Sequence, residues 1–144
     1  MDGRTFFIPK YQRGYRWTDK QVEDLMRDLL CFAYDHSERA GSFYCLQPVI
    51  VRRIERDGKE AWEVIDGQQR LTTIYILYKY LRDRKLKEIE DEDENEEIGR
   101  DLYHLIYESR PESGAFLDNL SKDTLSYDYI DFAHISRAYS HIPE

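Results

Sequence analysis

A strand pattern at residues 61–65 (AWEVI) runs straight into Asp66-Gly67-Gln68-Gln69-Arg70. A strongly apolar helix pattern follows through Leu71, Ile74, Ile76, Leu77, Tyr78 and Leu81. A strand feeding a helix through so short a polar stretch commits this part of the chain to a mixed α/β unit. Just upstream, Arg56-Asp57-Gly58-Lys59 separates that strand from a buried-strand candidate at residues 46–51 (LQPVIV). Asp-Gly between two strand patterns is a strong hairpin signal. Arg82, Arg84 and Lys85 sit at the C-terminal end of the helix pattern, where cations suit the macrodipole.

The flanking segments extend this unit. TFFIP (residues 5–9) reads as a short strand stopped by Pro9, which has no N–H for a ladder bond. Thr18-Asp19-Lys20-Gln21 is a capping-box pattern, and behind it Val22, Leu25, Met26, Leu29, Leu30 and Ala33 recur at helical spacing. Helices are predicted at residues 98–108, 114–120 and 130–140. The fold class is therefore α+β: a small mixed sheet with helices, followed by a helical extension. The clearest composition break is the acidic run EIEDEDENEE at residues 88–97. It divides an α/β domain at residues 1–87 from a helical extension at residues 98–144, and reads as a solvated loop or helix end.

Composition narrows the function classes. At 144 residues the chain has about one domain's worth of sequence. With 41% apolar and 14% aromatic residues, 12 Tyr and 4 Pro, it is neither disordered nor collagen-like. No apolar run approaches the roughly 20 residues needed to span a bilayer, and the first residues do not read as a signal peptide. The net charge of −8 is misleading, because the acidic run alone holds eight acidic residues. Residues 1–87 carry 17 basic and 13 acidic side chains, so that part can hold phosphates or an anionic polymer. Cys31 and Cys45 show no ligand spacing, and His36, His104, His134 and His141 are scattered. Two buried free thiols in a reducing cytoplasm are expected.

Three stretches can carry chemistry. At the strand-to-helix junction, the first helical N–H groups lack partners and carry partial positive charge, which suits an anion. Gly67 lets the backbone turn sharply beside a ligand, and Arg70 adds a planar charged fork suited to phosphate. Asp66 can hold Mg²⁺, and Gln68 or Gln69 can orient a water or a ribose hydroxyl. The spacing is not that of a Walker-type loop. The second stretch, IPKYQRGYRW (residues 8–17), interleaves basic residues with large aromatics, a pattern that holds phosphate while a ring stacks on a base. Packing of those rings into the core is the competing reading. In the third, YESRPESGAFL (residues 107–117), a salt-bridge role for Arg110 is at least as well supported as ligand contact.

IPKYQRGYRW, YCLQPVIV (residues 44–51) and EVIDGQQRLTT (residues 63–73), in this order, resemble the N-terminal domain of GmrSD-type modification-dependent restriction enzymes and related phage-defence proteins. YESRPESGAFL and YIDFAHISRAY (residues 129–139) look like the helical segments that follow in that family. The resemblance implies a nucleoside triphosphatase site, with Asp66, Gly67, Gln68, Gln69 and Arg70 around phosphates and Mg²⁺. Tyr11, Gln12 and Arg13 would join the same pocket. It also implies nucleotide hydrolysis coupled to DNA cleavage by a nuclease domain elsewhere, since no His-Asn-His pattern is present here. That would make this chain a fragment of a longer protein. The same order looks like a distant ParB/sulfiredoxin-type fold. Sulfiredoxin chemistry is excluded, because Gly67-Gln68-Gln69-Arg70 holds no thiol. Of the two glutamines, Gln69 is favoured for orienting water. The alternative is a nucleotide- or DNA-sensing module without catalysis.

Overall fold

In the hairpin, Asp57 and Gly58 both take positive φ, 52° and 72°. That is the primed turn whose twist matches the strands it joins. A computed structural model describes residues 3–36, 41–88, 102–128, 130–140 and 142. The hairpin strands are β2 (Ile50–Arg56) and β3 (Lys59–Asp66), and β1 is Thr5–Ile8. Helix α1 spans Asp19–His36 and helix α2 spans Gln68–Glu88. Beyond the acidic run come β4 (His104–Tyr107), α3 (Pro111–Asp118) and α4 (Ile130–Ser140).

The strands form one mixed sheet in the order β2-β3-β1-β4. The β2–β3 pair is antiparallel, whereas β1 runs parallel to both β3 and β4. Three strands therefore release the chain at the same edge: β1 into Pro9, β3 into Gly67 and β4 into Glu108. Central β1 is buried at Phe6, Phe7 and Ile8, which face both sides of the sheet. One apolar cluster joins Phe6 and Ile8 to Val22 and Met26 of α1, Tyr75 and Ile76 of α2, Leu117 of α3 and Ile135 of α4. The chain on both sides of the acidic run shares this core.

Sequence expectation and structure part company in four places. The helix expected at residues 98–108 is a strand at His104–Tyr107, while residues 98–101 lie outside the described residues. Four residues are too few to define a period, and a ladder with β1 from Thr5↔His104 to Ile8↔Tyr107 decides the matter. The expected strand at residues 46–51 starts only at Ile50, beyond Pro48, and continues to Arg56 as an exposed sheet edge. Helix α3 begins at Pro111, ahead of Gly114. A β-carbon added at Gly114 would lie 2.6 Å from the Leu105 carbonyl oxygen, so this glycine lets α3 press onto β4. Both cysteines are exposed rather than buried, because nothing among the described residues covers the outer half of α1 and the segment before β2. Leu30 and Tyr34 on that half of α1 are likewise 56% and 85% exposed. The acidic run begins at the last residue of α2, and residues 89–97 lie outside the described residues.

Candidate functional site

At the strand edge where β1 and β3 end, Gln12, Arg13, Trp17 and residues 66–70 line a cleft of about 230 Å³. The carboxyl ends of parallel strands are the usual ligand-binding edge of such sheets. The turn depends on Gly67, whose φ is +91°. A β-carbon there would also come within 3.1 Å of Val49. The first ladder bond of α2 runs from Leu71 N to Gly67 O at 3.0 Å, so the amides of Gln68, Gln69 and Arg70 precede the ladder. No acidic residue occupies the first turn of α2. This helix start is therefore electrostatically open to an anion.

Four side chains tie the 10–17 loop to this turn. Gln12 Nε2 donates to the carbonyls of Val64 (2.6 Å) and Ile65 (3.1 Å) at the end of β3. Gln68 Nε2 donates to Arg13 O at 2.7 Å. Gln69 engages the loop at both ends of its amide, donating to Gly14 O at 3.0 Å and accepting from Arg16 N at 2.8 Å. The Tyr15 hydroxyl shares a hydrogen bond with Thr73 Oγ1 at 2.9 Å. Burial pushes the Tyr15 phenol above its ordinary range, so it stays neutral. The Gln-Gln pair thus acts as a clamp on backbone groups that would otherwise lack partners.

Arg70 is held from the other side. Its Nη1 donates to Gln47 Oε1 at 2.7 Å and its Nη2 to Pro48 O at 2.8 Å. Two buried polar atoms at the cleft have no hydrogen-bond partner among the described residues: Gln68 Oε1 and Arg70 Nε. Buried polar atoms are rarely left unpaired, and they are found where a ligand, ion or water completes them. Arg13 is exposed and lines the cleft. Asp66, at the end of β3, is the one carboxylate among the lining residues. Tyr11, expected in the pocket, is 67% exposed and lies outside the lining set.

Residues that sequence reasoning did not single out support the loop from behind. Asp131, in the first turn of α4, is only 3% exposed and receives Arg16 Nη1, Arg110 Nε (3.0 Å) and Ser113 Oγ (3.4 Å). Arg110 has the salt-bridge role weighed for it. Gly14 packs so closely on Asp131 that an added β-carbon would lie 2.7 Å from its Cγ. One carboxylate thereby joins the 8–17, 107–117 and 129–139 segments. No spacing rule connects positions 115 residues apart. The usable signal was only that each segment pairs Gly or Ser with charge.

A divalent metal can be weighed against these donors. Among the described residues no three His, Cys, Asp or Glu side chains gather as a metal site. Mg²⁺ commonly uses one or two carboxylates and completes its shell with substrate phosphates and water. A single Asp66 fits that arrangement. No helix of the described residues is long and apolar enough to cross a membrane.

The family model described as GmrSD restriction endonuclease, N-terminal domain, matches residues 1–142. No curated protein matches the chain.

Proposed function

Since the chain belongs to the N-terminal domain family of GmrSD restriction endonucleases, we propose that its DGQQR cleft binds and hydrolyses a nucleoside triphosphate. That activity would regulate a restriction or phage-defence protein. The observation that carries this reading is the cleft itself. Arg70, Gln68 and the exposed Arg13 line it beside a helix whose first turn holds no acidic residue, and Arg70 Nε and Gln68 Oε1 are buried without a partner among the described residues. Phosphoryl transfer needs mainly positioning and charge neutralisation, which such a set supplies. Asp66 would hold Mg²⁺ carried in with the phosphates, and the metal would add positive charge against the oxygens.

The two glutamines divide the work. Gln69 spends both ends of its amide on the loop, so Gln68 Oε1 is the free group to orient a water. An amide is a poor base, so its part would be orientation. Family membership further supports a nuclease domain and a DNA target in the full-length protein, with nucleotide turnover here controlling cleavage there.

Thermal stability with GTP, UTP, ATP and CTP, with and without Mg²⁺, tests the reading. A ligand at 100 times its dissociation constant raises stability by about 2.7 kcal/mol. Arg13→Ala is the cleanest variant, since no hydrogen bond or ion pair of its side chain would be lost among the described residues. Loss of a charge-assisted hydrogen bond would weaken binding by about 1.5–3 kcal/mol without lowering the stability of the free protein. Unchanged affinity in Arg13→Ala and Arg70→Ala alike would refute the phosphate role. A second reading, a nucleotide sensor without turnover, is favoured by one observation: among the described residues lining the cleft, Asp66 is the one titratable base. Binding without phosphate release would select it.

A further inference from the structure

A second cleft of about 300 Å³ lies beside the first, and Trp17 and Arg70 line both. Its far wall is α1, contributing Gln21, Asp24 and Asp28, and its floor is the segment Tyr44 to Gln47. The positive charge falls off across the shared wall. On the DGQQR side stand Arg13, Arg70 and the open helix start. On the α1 side stand two carboxylates, and among the described residues Arg70 is the one cation in the lining. With Asp24 paired to Lys20, Asp28 stands against Arg70 here, so this cleft offers a further phosphate no excess of positive charge.

The chemistry on offer is that of a heterocycle edge. Among the described residues Asp28 meets the Tyr44 hydroxyl alone, at 3.3 Å, which leaves acceptor capacity open there. Asp24 is occupied by Lys20 at 2.7 Å, which holds its carboxyl below the ordinary range. Gln21 and Gln47 use their Oε1 atoms, for Thr18 N and Arg70 Nη1, and their amide NH₂ groups have no partner among the described residues. The cleft thus presents an acceptor carboxylate, donor amides and two ring systems, Trp17 and Tyr44. A nucleobase has this complement: ring N–H or amino donors, carbonyl or ring-nitrogen acceptors and a flat face.

Building on the phosphate reading above, we propose that this second cleft is the nucleobase subsite of the same nucleotide. The triphosphate lies at the DGQQR turn, the sugar passes Trp17 and Arg70, and the base reaches Asp28 and Tyr44. Arg70, pinned by Gln47 and Pro48, is then the hinge point between the two halves of the ligand.

Calorimetry on the full chain with Mg²⁺ tests this with two probes, inorganic triphosphate and each of the four nucleoside triphosphates. Base stacking and edge contacts make at least one nucleotide bind fivefold or more tighter than inorganic triphosphate, the lower end of what a stacked base contributes. Asp28→Asn, at an exposed position, and Tyr44→Ala, at a half-buried one, bring that nucleotide down towards inorganic triphosphate and leave the latter's affinity unchanged. Equal affinity for all probes overturns the base subsite while the phosphate site stands. So do variants that weaken inorganic triphosphate and nucleotide alike, or neither. If neither probe binds the wild type, the phosphate reading fails and takes the base subsite with it.

Discussion

Asp131→Ala is the perturbation that most directly examines how the loop is held. The Asp131 side chain is 4% exposed, while those of Arg16 and Arg110 keep 23% and 35% of their surface. Breaking a fully buried ion pair by removing one partner costs about 3–5 kcal/mol, because the other charge is stranded. Here water reaches both guanidiniums in part, so the expected cost falls to about 2–3 kcal/mol. Domains somewhat larger than this one lose about 2–4 °C in Tm per kcal/mol, which makes the expected drop about 4–12 °C. Urea unfolding followed by circular dichroism supplies the free energy, and a thermal scan supplies the Tm. Asp131→Asn separates charge from shape, since it keeps the volume and one acceptor. It should recover less than half of the loss. A double-mutant cycle with Arg16→Ala should give a coupling of at least about 1 kcal/mol. A loss below about 0.5 kcal/mol for Asp131→Ala, with no coupling to Arg16, would refute the view that this carboxylate anchors the loop.

Gly67→Ala should cost about 1–2 kcal/mol from the positive φ alone, and more from the contact with Val49, as read by urea denaturation. Gln69→Ala leaves the Gly14 carbonyl and the Arg16 amide without their partners and should cost about 2 kcal/mol. Hydrogen exchange should then speed up at residues 10–17 before it does in β1. Burial raises the phenols of Tyr15, Tyr103, Tyr107 and Tyr139 above the ordinary range. The unfolded chain therefore releases these protons first. Stability should be insensitive to them below about pH 9 and should fall as pH rises past about 10, where free tyrosine ionises. An alkaline titration in which all 12 tyrosines ionise together near their ordinary value, with the fold intact, would contradict this.

The local features were legible in the sequence because their causes are local. Asp57-Gly58 needs only its own two residues to set a primed turn, and Pro9 stops β1 for want of an N–H. The junction at residues 66–70 sits between two elements whose patterns declare themselves, so its glycine turn and helix start were readable in advance. Gln21 does reach back to Thr18 N at 2.9 Å, as the capping pattern implied. Their agreement with the structure reflects short-range sterics and hydrogen bonding, which a window of a few residues contains in full.

Pairing across the chain was not legible in this way. HLIY at residues 104–107 became a strand because β1 offered it a ladder, and nothing within four residues distinguishes that outcome from a helical turn. The two glutamines carried the right polarity at the right place. Only the approach of the 10–17 loop, however, turned Gln69 into a clamp and left the buried Gln68 oxygen without a partner among the described residues. Asp131 lies 115 residues from Arg16, and its burial between two arginines depends on β4 and α3 bringing their segments to the same edge. Sequence alone determined the turns, the caps and the chemistry stored at the DGQQR junction. Tertiary structure decided which of those groups are consumed in holding the site together and which have no partner among the described residues, because a hydrogen-bond partner is assigned by distance in space and not by position in the chain.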